Sequence, residues 1–451
     1  MSGIAGIAAS GEQARVEKML KRIAHRGQAG QGLLEGKGGT LGVLWTRAQS
    51  SPMFSRGTAF GVRDSAGRGH LAQASIEQGK ILLTRDETGA APLYYGRTED
   101  SLLAFASEIK ALIGIVHEIH ELPPGCRYDG EKMKRYFDFS GQPLFTKPPE
   151  KIALELRHKL DTSVKSRIVE KEEDIGAWLS GGIDSSTMAV LACPYLKTLR
   201  TFVAGIPGAP DLEYARVVAD YLQAEHHEVT VSLQDMLSVL PQVIYHLESF
   251  DALLVRSSIT NYLAAKAASD YVSAVFSGEG GDELFAGYEY LKAFPLAQLP
   301  AELIDITLRL HNTALQRVDR CSSAHGLVAH VCFLDPSVVD YAQRIPVEYK
   351  IFDGVEKWIL RLAMKGALPE KVLTRRKAKF WEGAGVGELL AEHAEQQITD
   401  GDFYRERKLS NNWELNSKEE LLYYRIFQEH FGKLENLAWM GRTKDTPRLV
   451  P

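Results

Sequence analysis

A chain of 451 residues with 45% hydrophobic and 25% charged residues has the balance of a folded protein with two or three cores. Its net charge of −5 gives no basic footprint for nucleic acid and no polybasic patch for a membrane surface. Four cysteines, Cys126, Cys193, Cys321 and Cys332, form no Cys-x-x-Cys pair, so no zinc site or redox motif is signalled; a chain that needs no disulfides suits a reducing cytoplasm.

The opening Met1-Ser2-Gly3-Ile4-Ala5-Gly6-Ile7-Ala8 is apolar but short, lacks a charged leader and does not read as a signal peptide. No apolar run is long enough to span a bilayer. Residues 1–142 read as short strands joined by Gly-rich turns, with strand candidates at 81–84, 92–95 and 102–106. Pro123-Pro124-Gly125 marks a sharp turn, and the breaker-rich stretch from Ser140 to Pro149 is the expected domain boundary.

From 150 to 451 the period changes. Residues 152–169 read as a helix. Apolar strand candidates follow at 175–179, 201–205, 227–231 and 272–276, with helical patterns between them at 213–222 and 235–247. Strands alternating with helices predict an α/β domain with a mostly parallel sheet, whose ligands bind beyond the carboxyl ends of the strands. From Leu299 onward the pattern is mainly helical.

Two loops carry the strongest chemical signals. Leu179-Ser180-Gly181-Gly182-Ile183-Asp184-Ser185-Ser186 follows an apolar strand and is expected to open a helix near Thr187. Glycines let the backbone approach an anion closely, and serine hydroxyls and helix-terminal amides donate to phosphate oxygens. Asp184 would repel bare pyrophosphate and suits a magnesium ion instead. No Walker A loop and no dinucleotide fingerprint occurs. The second loop, Ser277-Gly278-Glu279-Gly280-Gly281-Asp282-Glu283, also follows an apolar strand, so it should reach the same sheet edge with three acidic residues suited to metal and base chemistry. Taken singly, the first is a Gly-rich turn and the second an acidic surface turn; together they favour a site.

Both loops resemble those of the asparagine synthetase family. The resemblance continues in Phe202-Val203-Ala204-Gly205-Ile206-Pro207-Gly208, Tyr245-His246-Leu247-Glu248, Phe333-Leu334-Asp335, Glu356-Lys357-Trp358-Ile359-Leu360-Arg361 and Arg375-Arg376-Lys377-Ala378-Lys379-Phe380. It implies an ATP-pyrophosphatase domain over 150–451 that uses ATP and Mg2+ to activate a carboxylic acid as its acyl-adenylate. Ammonia or an amine would then displace AMP. Ser180, Gly181, Gly182, Asp184, Ser185 and Ser186 are similar to the family's pyrophosphate loop, and Leu179, Ala204, Ser277 and Gly278 to its nucleotide contacts. By the same resemblance Asp184 and Asp282 are the metal carboxylates, Glu279 is a base-like glutamate near the incoming amine, and Lys377 stabilises charge on the reacting phosphate.

The first segment resembles the family's N-terminal-nucleophile glutaminase, an α+β sandwich, through Gly3-Ile4-Ala5-Gly6, His25-Arg26-Gly27, Arg85-Asp86 and Ala106-Ser107-Glu108-Ile109-Lys110-Ala111-Leu112. Two chemical parts depart from that pattern. Ser2 stands where the family has a nucleophilic cysteine, and the family's Asn-Gly-Glu loop has no counterpart between Gly27 and Arg85. A degenerate domain that does not hydrolyse glutamine is expected, with nitrogen coming as free ammonia, as an amine or from a separate glutaminase. The acceptor pocket departs too. Leu253 and Leu254 replace two family threonines, and Arg256, retained, is the expected carboxylate clamp. Isobutyl groups cannot hydrogen-bond a small polar acid, so either the acid is larger or less polar than aspartate or these positions lie outside its pocket; aspartate is the acid the resemblance implies. Two other readings stay open: an intramolecular amide former such as a β-lactam or ring synthetase, and a silent nucleotide-binding scaffold. A homodimer is compatible with all of them.

Overall fold

The computed structural model of the chain describes residues 2–49, 52–56, 59–65, 69–139, 143–168, 174–376, 383–409 and 413–444. Its N-terminal part is a sandwich of two six-stranded antiparallel sheets. One sheet places β1 (Gly3–Ile7) between β3 (Gly39–Trp45) and β9 (Leu103–Ala106). The other runs through β5 (Ala59–Ser65), β6 (Leu71–Glu77) and β7 (Lys80–Arg85). Their inner faces meet in a core containing Ile4, Val43, Val62, Ala74, Leu83 and Phe105. Helix α1 (Gln13–Arg22) lies on the outer face of the first sheet through Val16, Met19 and Leu20.

Beyond helix α2 (Pro149–Ile168) the chain builds a five-stranded parallel sheet. Its strands are β13 (Ile175–Trp178), β14 (Arg200–Gly205), β15 (Glu225–Thr230), β16 (Ala274–Phe276) and β17 (Val328–His330), in the order β15-β14-β13-β16-β17. Between the strands run α3 (Ile183–Ala192), α4 (Pro210–Leu222), α5 (Leu233–Leu247), α6 (Ala252–Ala268), α7 (Gly281–Phe285), α8 (Leu299–Leu308) and α9 (Ala314–Ser323). Four strands fall where the apolar runs predict them. The fifth, β17, is only three residues long and sits in a stretch read as helical. The helix after the first loop starts at Ile183 rather than near Thr187, because Gly182, extended at φ −73° and ψ 158°, already serves as its N-cap. Among the described residues no helix is long and apolar enough to cross a membrane.

The two parts share apolar packing. One cluster runs from Val16, Met19 and Leu20 of α1 into Met236, Leu240 and Ile244 of α5 and on to Leu421 and Phe427 of the helix Lys418–Phe431. The sandwich is therefore part of the fold around the parallel sheet rather than a body on a tether.

Candidate active site

β13 and β16 are adjacent and parallel, with Ile175 opposite Ala274 and Ala177 opposite Phe276. Both chemical loops therefore leave the same carboxyl edge side by side. After Trp178 the chain turns through Ser180, Gly181 and Gly182 into α3. Gly181 has φ +68°, and a side chain there would overlap the backbone of Tyr214 on α4, so the tight turn requires glycine. Ser180 N donates to Ser185 Oγ at 3.2 Å, and Ser185 Oγ donates to Gly182 O at 3.2 Å. These bonds curl the loop, and no side chain caps α3, whose first-turn amides have no carbonyl to bond within the helix. An anion is the complement of that arrangement.

The second loop is pressed against the first. A Cβ on Gly281 would lie 2.5 Å from Asp184 Cγ, and one on Gly278 would lie 2.8 Å from Ser185 N. Only hydrogen at these positions lets Asp184 and Asp282 approach one another. Between them sits the ammonium of Lys357, 2.6 Å from Asp282 Oδ1 and also paired with Asp184 Oδ2. Lys357 is held there by an unusual backbone. It has φ +54°, a region costly for a residue with a Cβ, at the start of α11 (Trp358–Met364). Its side chain is 2% exposed.

Two carboxylates converging on one cation could serve as donors to a hard divalent ion in place of the ammonium. Among the described residues no cluster of three or more His, Cys, Asp or Glu side chains forms a complete cage. Magnesium is commonly bound by one or two carboxylates together with substrate phosphates, and Asp184 and Asp282 could be those carboxylates.

Leu179, Ser180, Gly182, Asp184, Ser185, Ala204, Ser277, Gly278, Glu279, Asp282, Leu253 and Leu254 all line one cavity of about 270 Å³. Gly181 shapes the turn without lining it, and Ser186 is buried inside α3. Lys377 lies outside the described residues. Arg256 does not point into the cavity. Its Nε donates to both oxygens of Glu419, at 2.7 and 2.9 Å, so the carboxylate clamp expected of it is already committed within the protein. Several arginines do line the cavity, among them Arg317 of α9, which pairs with Glu279.

Other functional groups were not singled out in the sequence. Arg375 Nη1 donates to Ser180 O at 2.7 Å and its Nη2 pairs with Asp211 at 2.5 Å, bracing the phosphate loop from behind. Lys357 could have been found, since it stands in the Glu356-Lys357-Trp358 motif. Arg317 had only a helical charged stretch around it. Glu283, beside Asp282, is fully buried and accepts a hydrogen bond from the Tyr288 hydroxyl. Burial first, and then the neighbouring Asp282 charge, push its carboxyl up to about 8, so it is protonated at neutral pH.

Ser2 lies in the sandwich and is fully buried. Its hydroxyl donates weakly to Arg63 O at 3.4 Å and accepts from Ser65 N at 3.3 Å. The neighbouring Arg26 donates from Nε to Ser2 O at 2.7 Å. Its two terminal nitrogens reach across to Asp319 at 2.7 and 2.9 Å.

Comparison with known proteins places this geometry. A family model described as asparagine synthase matches residues 155–305 and 296–448, and one described as a glutamine amidotransferase domain matches residues 65–147. Asparagine synthetase B, glutamine-hydrolysing, of Escherichia coli (strain K12) is 35% identical over 395 residues, covering 82% of this chain and 70% of that protein. A probable glutamine-hydrolysing asparagine synthetase of Schizosaccharomyces pombe is 34% identical over 393 residues, covering 79% of this chain and 70% of that protein. Matched along most of its length, with both loops on one sheet edge, the chain belongs to the asparagine synthase family of ATP-dependent, AMP-forming carbon–nitrogen ligases.

Proposed function

We propose that the chain forms an amide in two steps at this one cavity. A carboxylate oxygen of the acid attacks the α-phosphorus of ATP, pyrophosphate leaves, and the acid is held as its acyl-adenylate. The lone pair of ammonia or an amine then attacks the acyl carbon, and AMP leaves. The observation that carries this reading is the convergence of Asp184, Asp282 and Lys357 beside a loop built for phosphates.

The phosphate loop from Ser180 to Ser185 holds the leaving pyrophosphate through its hydroxyls and the first-turn amides of α3. Asp184 and Asp282 would hold magnesium, which neutralises charge on the departing phosphates. Until that ion binds, the buried Lys357 ammonium holds the two carboxylates together and competes with the ion for the same oxygens. Arg375 keeps the loop closed through Ser180 O and Asp211. Glu279, oriented by Arg317, stands on the cavity wall where it can take the proton that the attacking nitrogen sheds. Lys377 follows Arg376, which lines the cavity, and we assign it to the reacting phosphate by its place in the family motif.

The sandwich does not hydrolyse glutamine in this reading. Support comes from Ser2, whose hydroxyl is fully enclosed and weakly bonded to backbone, and from the Arg26–Asp319 pair beside it. Nitrogen then reaches the synthetase site as free ammonia, as an amine or from a separate glutaminase.

The test is acid-dependent exchange of labelled pyrophosphate into ATP over a panel of carboxylic acids, with and without ammonium. Exchange identifies the acid, and an amide formed with stoichiometric AMP identifies the nucleophile. ATP binding with no exchange under any acid would reject the adenylating reading in favour of a silent scaffold. Release of glutamate from glutamine by the purified chain would reject the second part.

A further inference from the structure

The cations on the cavity wall differ in what holds them. Lys357 is shared by Asp184 and Asp282. Arg361 is spent on the fold, donating to Glu356 O at 2.8 Å, Leu373 O at 2.6 Å and Arg375 O at 3.2 Å. Arg375 braces the phosphate loop through Ser180 O and Asp211. Arg309 is largely exposed and pairs with Asp305 at 2.8 Å. Arg317 is different. Its side chain is 9% exposed, and the partner it pairs with, Glu279, lies on the cavity wall as well and keeps 21% exposure. The pair is buried enough for its charges to count and open enough for a ligand to enter it.

Arg317 also stands where an acid must react. Gln316 Nε2 donates to Leu247 O at 2.7 Å, just before α6 begins, and Cys321 Sγ donates to Ser258 O at 3.4 Å, so α9 runs alongside α6 in the same direction. That brings Arg317 to the end of α6 that carries Leu253 and Leu254, on the wall of the cavity that also holds the phosphate loop. A carboxylate brought up to the phosphates of ATP meets like charge, and a fixed guanidinium beside it offsets the repulsion. Arg256, the cation expected to do this, is bound to Glu419. The carboxylate of Glu279 already occupies Arg317 in the way that a substrate carboxylate would.

We propose that Arg317 binds the reacting carboxylate of the acid, and that the acid reaches it by displacing Glu279. The exchange couples the two steps. Before an acid binds, Glu279 is tied to Arg317. Once the acid takes the guanidinium, Glu279 is released toward the incoming nitrogen. One carboxylate oxygen faces Arg317 while the other attacks the α-phosphorus, and pyrophosphate leaves. When the nitrogen lone pair attacks the acyl carbon, the carbonyl π electrons move onto the oxygen beside Arg317. The nitrogen's proton passes to Glu279, and collapse of the oxyanion expels AMP. This assignment rests on the adenylation reading above.

The experiment is titration calorimetry of the full chain with Mg2+ and α,β-methylene-ATP, which cannot be split between its α and β phosphorus, using aspartate and octanoate as probe acids. Arg317→Gln is expected to weaken both acids about thirtyfold, the loss of a hydrogen bond to a charged group, with the Kd of the nucleotide analogue unchanged. Arg317→Lys, which keeps the charge, should fall between. Glu279→Gln removes the competing carboxylate and should tighten both acids about fivefold. In the Arg317→Gln background the same change should do nothing, whereas plain charge repulsion by Glu279 would act in either background. A Glu279→Gln effect that persists without Arg317 would therefore overturn the exchange. Weakening of aspartate alone would overturn the proposal by assigning Arg317 to a second carboxylate, and binding of neither acid to the parent would overturn it too. Pyrophosphate exchange by the parent with the same acids reads adenylation separately. Binding as expected without exchange would overturn that reading and leave Arg317 as a carboxylate site.

Discussion

Replacing Lys357 by Met separates the two jobs this side chain holds. The methionine fills nearly the same volume and cannot pair with Asp184 or Asp282. Two carboxylates held close by the backbone at Gly278 and Gly281 lose the ammonium that pairs with both. Breaking a buried ion pair by removing one partner costs about 3–5 kcal/mol. The aspartate side chains keep 13% and 15% exposure, so part of that cost is relieved by water and about 3 kcal/mol is expected. Magnesium is the discriminating reagent. If the pair is a metal site, ~10 mM Mg2+ against a dissociation constant near 1 mM restores about 1.4 kcal/mol by mass action. It should do so in the variant more than in the parent, where the ammonium competes for the same oxygens. Urea unfolding in chelator and in Mg2+ measures both quantities. A variant as stable as the parent in chelator would refute the ion-pair argument, and a deficit that Mg2+ leaves untouched would remove the two aspartates from the metal site.

Asp184→Asn keeps the shape of the loop and removes one metal oxygen, so pyrophosphate exchange should be abolished while the circular dichroism spectrum is retained. Gly281→Ala places a methyl 2.5 Å from Asp184 Cγ, and the displaced carboxylate should cost exchange about a hundredfold with little loss of stability. Arg26→Met leaves Asp319, Asp64 and Glu108 buried beside one another without their shared guanidinium, and a loss of about 3–5 kcal/mol in urea unfolding is expected. His246 and His325 are held down by burial, to about 2 and about 4 against 6.5. Their neutral forms are favoured by the fold, so this contribution is complete above pH 6.5 and is lost as the pH falls from 6.5 through about 4 for His325 and about 2 for His246. At pH 5 each should cost about 2 kcal/mol, read as a falling Tm between pH 7 and pH 5.

The central strands β13, β14 and β16 were legible because they are short apolar runs, which arise where both faces of a sheet are covered, whereas the edge strand β15 is mostly polar and β17 was read as helical. The sandwich was less so, and β3 shows why. Gly39-Thr40-Leu41-Gly42-Val43-Leu44-Trp45 is not among the strand candidates, yet it pairs along its length with β1 and β2 (Gly30–Gly36). Gly42 is there because Val16 and Leu20 of α1 press on the sheet, and a Cβ would lie 2.7 Å from either side chain. That reason is tertiary and leaves no mark in a local window. The cavity wall divides in the same way. Asp184, Glu279 and Asp282 stand in loops whose composition is odd enough to notice. Asn261, Arg317 and Trp178 sit in ordinary helix and strand sequence, and only the packing of α6, α9 and β13 turns them toward one space. Arg256 is the converse: its motif pointed to a substrate, and Glu419, 163 residues away, had already taken it.

The same packing explains how a sandwich with Ser2 enclosed can still matter to a synthetase site. Arg26 of the sandwich gives both terminal nitrogens to Asp319, and Arg320, next along α9, returns a bond from Nη1 to Ser107 O at 3.2 Å. Glu248, at the end of α5, accepts from the backbone of Ile109 at 3.1 Å and Lys110 at 2.8 Å. Every one of these groups is buried, so parting the two halves would expose several charges at once along with the apolar cluster behind them. Helix α9 carries Asp319 and Arg320 toward the sandwich and Arg317 toward the cavity, where it meets Glu279. The register of Arg317 is thus set in part by contacts that belong to the sandwich, together with the packing of α9 on α5 and α6. On the proposal that the sandwich does no glutamine chemistry, it would still be under constraint wherever its side chains hold the wall of the site next door.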